Sequence, residues 1–194
     1  MPLVTIPQIV QHYYILALVA LLLGLVLFAK KVSTSNFRKN YNPRLPGKGY
    51  TLIYTDEKTG ERKKGVEYSK LLHCQKYDIT GKPDYIYKKG ETFYPVELKS
   101  AAIGDKEAPR EKDLLQLAMY FLIIEEVYGK APTGRIIYKD AMFFVRNTPA
   151  LRRKIKGVLS DMRGMLKTGE QEANPSFINC KSCIAKGTVC EYYD

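Results

Sequence analysis

The sequence predicts an α/β domain, because short β-type runs alternate with two longer runs of helical periodicity. An apolar segment of about twenty-nine residues precedes this part of the 194-residue chain, and the remainder is long enough for one domain with a hydrophobic core. We therefore divide the chain into four parts: a segment 1–29, a basic linker 30–49, a domain 50–170, and a cysteine-bearing tail 171–194 that packs on the domain.

The first segment predicts a transmembrane helix. It contains no charged side chain, and its apolar run is long enough to cross a hydrocarbon core of about 30 Å. Lys30 and Lys31 follow at once, so the positive-inside rule predicts a single-pass protein with its C-terminal domain in the cytoplasm. A cleaved signal peptide fits less well, because no basic residue precedes the apolar run.

The first half of the domain is predicted to be β-structure. Three strands joined as a meander are predicted at Tyr50–Thr55, Lys64–Ser69 and Leu72–Thr80. A β-hairpin follows at residues 81–99, which we call the acidic hairpin. Its two β-type runs are separated by Lys89 and Gly90, which we take as the turn.

The second half is predicted to contain two helices and two further strands. The helix Glu111–Tyr128 has apolar residues at helical spacing and is closed by Gly129. The strands Arg135–Tyr138 and Ala141–Val145 come next. A last helix, capped by Thr148 with Pro149 in its first position, runs to about Lys167 and is strongly basic.

The register of the acidic hairpin predicts a cluster of charged side chains. With Lys89 and Gly90 as the turn, Asp84 lies opposite Pro95 and is a diagonal neighbour of Glu97 on one face, which Lys99 shares. Two carboxylates at this spacing can hold magnesium or manganese against a phosphodiester, and a nearby ammonium can orient the attacking water. The alternative is that all three side chains form a solvated face.

Two other features carry chemical information. Gln116 and Tyr120 are four residues apart in the predicted helix, so they share a face and either point toward the acids or form its polar edge. In the tail, Cys180, Cys183 and Cys190 have the spacing of thiolate ligands, with zinc and an iron–sulfur cluster both compatible. Cys74 is either the fourth ligand or a buried small residue.

The charge of the chain indicates the kind of partner it binds. The net charge is +11 and the pI is near 9.4, which favours a polyanion, either nucleic acid or an anionic membrane surface. The cysteine distribution argues against a secreted disulfide framework, because three of four cysteines lie close together near the C-terminus.

The order of these motifs resembles the RecB-like nucleases of the PD-(D/E)XK superfamily, in particular the CRISPR-associated exonucleases with an iron–sulfur cluster. The motifs are Gly81-x-x-Asp84, Glu97-Leu98-Lys99, Gln116-x-x-x-Tyr120 and Cys180-x-x-Cys183-x6-Cys190. The resemblance implies a restriction-endonuclease-like core, in which helices flank a central mixed β-sheet. It also implies a metal-dependent nuclease, with exonuclease action on single-stranded DNA as the family activity.

The resemblance also assigns roles to these residues. By this resemblance, Asp84 and Glu97 are ligands of magnesium or manganese, and the Leu98 carbonyl is a further ligand. Lys99 is the catalytic lysine. Gln116 and Tyr120 position DNA and the scissile phosphate. The three tail cysteines bind a 4Fe–4S cluster, which the family prefers to zinc.

Two departures from the family pattern leave an alternative open. Relatives carry an upstream cluster cysteine and a metal-binding histidine where this chain has its apolar segment and linker, so Cys74 and His73 are the candidates to replace them. The alternative reading is a catalytically inactive DNA-binding or assembly module tethered to the membrane.

Overall fold

The computed structural model describes residues 13–24, 37–57 and 62–169. The strands within these ranges are β1 Phe37–Asn40, β2 Thr51–Thr55, β3 Glu67–Tyr68, β4 Leu72–Cys74, β5 Ile79–Gly81, β6 Tyr85–Lys89, β7 Thr92–Leu98, β8 Thr133–Ile137 and β9 Met142–Arg146. The helices are α1 Glu111–Val127, α2 Pro149–Thr168 and a short 3-10 helix, Gln75–Tyr77. Residues 13–24 are also helical.

The chain forms two compact units, residues 1–152 and 153–194, and helix α2 begins in the first and ends in the second. Seven strands of the first unit make one sheet in the order β1-β9-β8-β7-β6-β2-β3, while β4 and β5 form a separate pair. The large sheet is mixed, because β7–β8 and β2–β3 are parallel and the other neighbours are antiparallel. The predicted α/β class is therefore confirmed, with a mixed central sheet on which helix α1 packs.

Helix α1 connects the parallel strands β7 and β8 and packs on both of them, as a crossover helix must. It also contacts β4 and β5. Its sequence is apolar around most of its circumference, and four consecutive residues, Phe121 to Ile124, are at most 4% exposed. Such a helix is stable only when covered on several sides, and here the sheet and the small β4–β5 pair cover it.

The acidic hairpin forms, but its predicted register is wrong by two residues. Ile86 pairs with Pro95 and Lys89 pairs with Thr92, so the two turn residues are Gly90 and Glu91. Gly90 has φ +56°, the left-handed conformation that a two-residue hairpin turn with glycine in its first position requires. A shift of two leaves each side chain on its predicted face.

The predicted meander is wrong. Strand β3 pairs parallel with β2, so the chain crosses over between them. The run Leu72–Thr80 is not one strand either, because the chain reverses within it through the 3-10 helix and Asp78, whose φ is +41°. The two halves, β4 and β5, then pair antiparallel with each other. Asp tolerates this left-handed conformation better than most residues, and the β-type composition gave no sign of the reversal.

Strand β1 lies within the segment predicted to be a linker. Its residues pair antiparallel with β9, from Phe37 opposite Val145 to Asn40 opposite Met142, and it forms one edge of the sheet. Four residues with two basic side chains give little β-type signal, so this strand depends on its partner.

Two predicted features fall mainly outside the described residues. The first is the transmembrane helix, of which residues 13–24 are described. No helix in the described ranges combines the length and the hydropathy that a bilayer crossing needs. The second is the tail, since Cys180, Cys183 and Cys190 all follow residue 169.

Candidate active site

The acidic hairpin brings Asp84 and Glu97 together at the end where β6 begins and β7 ends. The observed register, continued one residue beyond Tyr85 and Val96, places Asp84 directly opposite Glu97, closer than the predicted diagonal. One oxygen of Asp84, Oδ2, accepts a hydrogen bond of 2.6 Å from the backbone N–H of Leu98. This bond fixes the Asp84 carboxylate beside the strand that carries Glu97.

The carboxylate of Glu97 is buried, and among the described residues only one of its two oxygens has hydrogen-bond partners. The residue is 5% exposed. Its Oε1 accepts hydrogen bonds from Lys99 Nζ at 2.9 Å and from Gln116 Nε2 at 2.7 Å. Its Oε2 is buried and has no hydrogen-bond partner in the part of the chain that the structure describes. Burial, reinforced by the negative charge of Asp84, raises the pKa of Glu97 to about 7.

The ammonium group of Lys99 is surrounded by acceptors. Its Nζ lies 2.9 Å from Glu97 Oε1, 2.7 Å from Gln116 Oε1 and 3.4 Å from Asp113 Oδ1. Burial lowers the pKa of Lys99, but the carboxylates of Glu97 and Asp113 outweigh this effect, so its pKa is raised. The lysine is therefore held as a cation next to the acids.

Gln116 and Tyr120 face the acids, as the first of the two alternatives predicts. Gln116 bridges the site, because its amide nitrogen donates both to Glu97 Oε1 and to the hydroxyl of Tyr120, the latter at 2.9 Å. The Tyr120 hydroxyl donates in turn to the carbonyl of Lys82 at 3.1 Å. Burial, with the charges of Glu97 and Asp84, raises the pKa of Tyr120 to about 12, so the phenol stays protonated.

Gly81 explains the first motif of the resemblance in physical terms. A Cβ at this position would lie 2.9 Å from Cε1 of Tyr120 and 3.0 Å from Cδ1 of Ile123. A side chain at this position would therefore require Tyr120 and Ile123 to shift, whereas glycine lets β5 and α1 lie close together with the Tyr120 hydroxyl bonded to the Lys82 carbonyl.

Asp113 is a site residue that the sequence did not reveal. It is 3% exposed and lies one helical turn before Gln116 on α1. Its Oδ2 accepts a 2.6 Å hydrogen bond from the hydroxyl of Tyr138, which itself accepts one from the backbone N–H of Arg110. The spacing of three residues from Gln116 was the available signal, but an aspartate in the first turn of a helix is common.

Asp56 is a second acid that the sequence did not reveal. Its backbone N–H donates to the carbonyl of Asp84 at 3.0 Å, and its charge raises the pKa of Asp84 further after burial has done so. Its Oδ1 is buried, has no hydrogen bond to any residue within 13–24, 37–57 and 62–169, and lies 3.6 Å from Lys82 Nζ. It adds negative charge at the end of β2, next to the acidic hairpin.

Cys74 and His73 lie away from these acids, on β4. Cys74 is fully buried, and its thiol donates to Glu126 Oε2 at 2.9 Å. Burial raises the pKa of Cys74, and the bond to Glu126 adds to the effect, so the thiol is favoured over the thiolate that a metal requires. The same carboxylate caps the 3-10 helix through the backbone N–H groups of Gln75 and Lys76. His73 is exposed.

The carboxylate pair fits a divalent cation. In the described ranges, no group of three or more His, Cys, Asp and Glu side chains forms a metal cluster. Magnesium needs no such cluster, because it binds through one or two carboxylates and keeps waters and substrate phosphate oxygens as its other ligands. Such a cation would satisfy the buried Oε2 of Glu97, which no described residue contacts by a hydrogen bond.

Fold and site together define a class: an α/β protein whose central sheet presents two acids and a lysine suited to metal-assisted hydrolysis of a phosphodiester. Residues 48–191 match the family model of the PD-(D/E)XK nuclease superfamily, and the chain belongs to this superfamily. Its members are typically divalent-metal-dependent nucleases, which generally use magnesium or manganese and act on DNA.

Solved structures and curated proteins add little to this assignment. A structure described as "Crystal structure of SSO0001" is 20% identical to the chain, covers 86% of this chain and 67% of its own, and superposes with a TM-score of 0.42. A TM-score this low carries no conclusion about fold or function. No curated protein matches the sequence.

Proposed function

We propose that the protein is a divalent-metal-dependent deoxyribonuclease of the RecB-like type, acting as an exonuclease on single-stranded DNA. The observation that carries the proposal is the Glu97 carboxylate. It is buried, one of its oxygens has no hydrogen-bond partner among the described residues, and it lies beside a second acid and a lysine. A buried carboxylate oxygen without a hydrogen-bond partner costs stability, and a cation that binds there would satisfy it.

Each residue of the site has a role in this reaction. When bound, magnesium or manganese polarises the phosphoryl oxygens and lowers the pKa of a bound water. Asp84 and Glu97 would hold the cation, and the Leu98 carbonyl is a further ligand in this proposal. Lys99 provides a fixed positive charge next to the phosphate. Gln116 holds both Lys99 and Glu97, and Tyr120 supports Gln116.

A nuclease assay with matched variants tests this proposal. We would incubate the full-length protein with end-labelled single-stranded and double-stranded DNA and manganese, using labels at either end to read polarity. Glu97→Gln and Lys99→Ala should each lower the rate by about a hundredfold or more. Two exposed residues of the same hairpin serve as controls: Glu91→Gln and Lys89→Ala should leave the rate unchanged.

The assay can also refute the proposal. If correctly folded wild type binds DNA but cuts no strand with magnesium or manganese, the protein is the catalytically inactive DNA-binding module. If it cuts double-stranded DNA internally, the nuclease assignment stands and the exonuclease assignment fails.

Residues 1–29 are proposed to anchor the protein in a membrane with the nuclease domain in the cytoplasm. The support is the absence of charge in this segment and the exposure of every side chain in its described helix, residues 13–24. Alkaline extraction of membranes from expressing cells tests it. An anchored protein stays with the membrane pellet, whereas recovery in the extract would contradict the anchor.

The tail cysteines Cys180, Cys183 and Cys190 are proposed to bind a 4Fe–4S cluster, with zinc as the alternative metal. The support is their spacing and the thiolate preference of both metals. The buried, hydrogen-bonded thiol of Cys74 does not favour it as the fourth ligand. Absorbance and metal analysis of anaerobically purified protein distinguish the two metals, and Cys74→Ser should leave the metal content unchanged if the fourth ligand lies elsewhere.

A further inference from the structure

A cleft lies at one edge of the large sheet, away from the acids. Its volume is about 410 Å³, which is within the range of small-ligand sites. It is lined by residues of β1, β8 and β9: Phe37, Arg38, Thr133, Phe144 and Arg146. Within this set Arg38 pairs with Phe144 and Thr133 with Arg146, so these four side chains share one face of the sheet.

This face is the one opposite to the active site. The register aligns Glu97 with Ile136 and then Phe143 across β7, β8 and β9. Phe144 follows Phe143 and therefore points to the other side of the sheet. The cleft is thus separate from the carboxylate pair and from α1, which packs on the Glu97 side through Gln116.

The residues described around the cleft give it a positive charge. Arg38 and Arg146 are exposed, and none of the described residues that line the cleft is acidic. Within the described residues, neither arginine forms an ion pair. Guanidinium groups match the geometry of phosphate oxygens, so two exposed arginines that pair with no described acid favour a ligand with phosphates.

The cleft also offers an aromatic ring. Phe144 is partly buried, and the guanidinium of Arg135 lies 4.9 Å from its ring centroid. Arg135 lies as well over the ring of Tyr50, at 5.6 Å, which holds it in place beside Phe144. A fixed phenylalanine between arginines is the combination that single-stranded nucleic acid recognises, because bases stack on the ring and phosphates contact the cations.

We propose that this cleft binds a segment of single-stranded nucleic acid, with Arg38 and Arg146 on its phosphates and a base against Phe144. The choice of DNA rests on the proposed function, but the site needs no cleavage chemistry. It would hold a part of the strand that is outside the reaction.

Binding in the absence of metal tests the cleft separately from the nuclease. We would measure anisotropy of a fluorescein-labelled oligothymidylate with full-length protein in EDTA, over a range of salt concentrations. Arg38→Gln combined with Arg146→Gln should weaken binding about tenfold at low salt, and should reduce the salt slope by about 1.4 for two lost phosphate contacts. Phe144→Leu should weaken binding on the order of fivefold and have no effect on an abasic oligomer.

A matched control removes the same charge elsewhere. Lys64 and Lys106 are exposed, and Lys64→Gln combined with Lys106→Gln lowers the net charge equally. The proposal is overturned if this control weakens binding as much as the arginine pair, or if the arginine pair binds like wild type. Because EDTA prevents cleavage in every sample, an inactive nuclease that binds in this pattern would still support the cleft.

Discussion

Variants of Asp113 can distinguish its effect on the Lys99 ammonium from its effect on the stability of the fold. Its carboxylate is shared between Lys99 and the hydroxyl of Tyr138. Asp113→Asn keeps the shape of the side chain, but if its oxygen accepts from Tyr138 its amide faces the ammonium of Lys99. We expect nuclease activity to fall on the order of tenfold or more with a small change in melting temperature.

Tyr138→Phe is the comparison for that variant. It removes the hydrogen bond to Asp113 Oδ2 and leaves the contact between Asp113 and Lys99. The free energy of unfolding should therefore fall by about 1–3 kcal/mol, while nuclease activity should fall much less than in Asp113→Asn. If both variants lose activity in proportion to their melting temperatures, Asp113 acts on the fold alone and not on the lysine.

The raised pKa of Glu97 predicts how stability changes with pH. The folded state holds the Glu97 proton up to about pH 7, whereas an ordinary glutamate loses it near its usual value of 4.5. Between these values the folded state binds more protons than the unfolded state, so stability falls as pH rises. The loss is on the order of 3 kcal/mol for a shift of this size.

Urea unfolding of the metal-free protein between pH 5 and pH 8 measures this effect. Wild type should lose stability with rising pH, and magnesium should restore it at pH 8 because the cation balances the charge. Glu97→Gln should be flat over this range and insensitive to magnesium, whereas exposed Glu91→Gln should behave like wild type. A wild-type protein more stable at pH 8 than at pH 5 would contradict the prediction.

At the residue scale, the sequence predicted that Asp84, Glu97 and Lys99 share one strand face, because a turn and a two-residue period determine which side chains lie together. An error of two in the register preserved that face. Asp113 and Asp56 escaped prediction because their roles depend on contacts across the fold, with Tyr138 and Asp84.

At the scale of elements, the approach of β5 to helix α1 sets the position of Tyr120. Gly81→Ala would push its new methyl group into the Tyr120 and Ile123 side chains. We expect a loss of about 1–3 kcal/mol in stability, from thermal or urea unfolding, and a drop in nuclease activity as Tyr120 is displaced.

Gly47→Ala is the matched control for Gly81→Ala, since no atom of the described residues lies within 4 Å of its added Cβ. It should leave both quantities near the wild-type values. Equal stability of the two variants would mean that β5 has room to move away from α1.

The helices were the easiest elements to predict and the short strands the hardest. Helix α1 has continuous apolar spacing, and Thr148 caps α2 with a hydrogen bond from the N–H of Leu151, as its sequence indicates. By contrast, β4 and β5 were merged into one strand because nothing in their composition marks the left-handed residue Asp78. A reversal of this kind depends on tertiary contacts such as Glu126 on the 3-10 helix.

At the scale of the whole molecule, β1 covers an edge that would otherwise be exposed. It pairs along β9, and the ring of Phe37 meets that of Phe143 edge-on. A chain that begins at residue 41 should therefore be less stable and more prone to aggregate than one that begins at residue 30, because an open edge of β9 can pair with another molecule. Unfolding curves and light scattering of the two proteins check this.

The sequence did not indicate this arrangement, since pairing of β1 with the last strand depends on topology and not on local composition. If both shortened proteins unfold at the same urea concentration and stay monomeric, the contribution of β1 is negligible.

The pairing of β1 with β9 also determines when the sheet can be completed during synthesis of the chain. Among the described strands, β1 is synthesised first and its partner last, so the sheet stays incomplete until the ribosome has translated almost the whole domain. At ordinary rates of synthesis this interval is roughly ten seconds. During this interval the acidic hairpin can form from residues that are close in the sequence. The β1–β9 edge of the sheet forms only after β9 has been synthesised, because its two strands are distant along the chain.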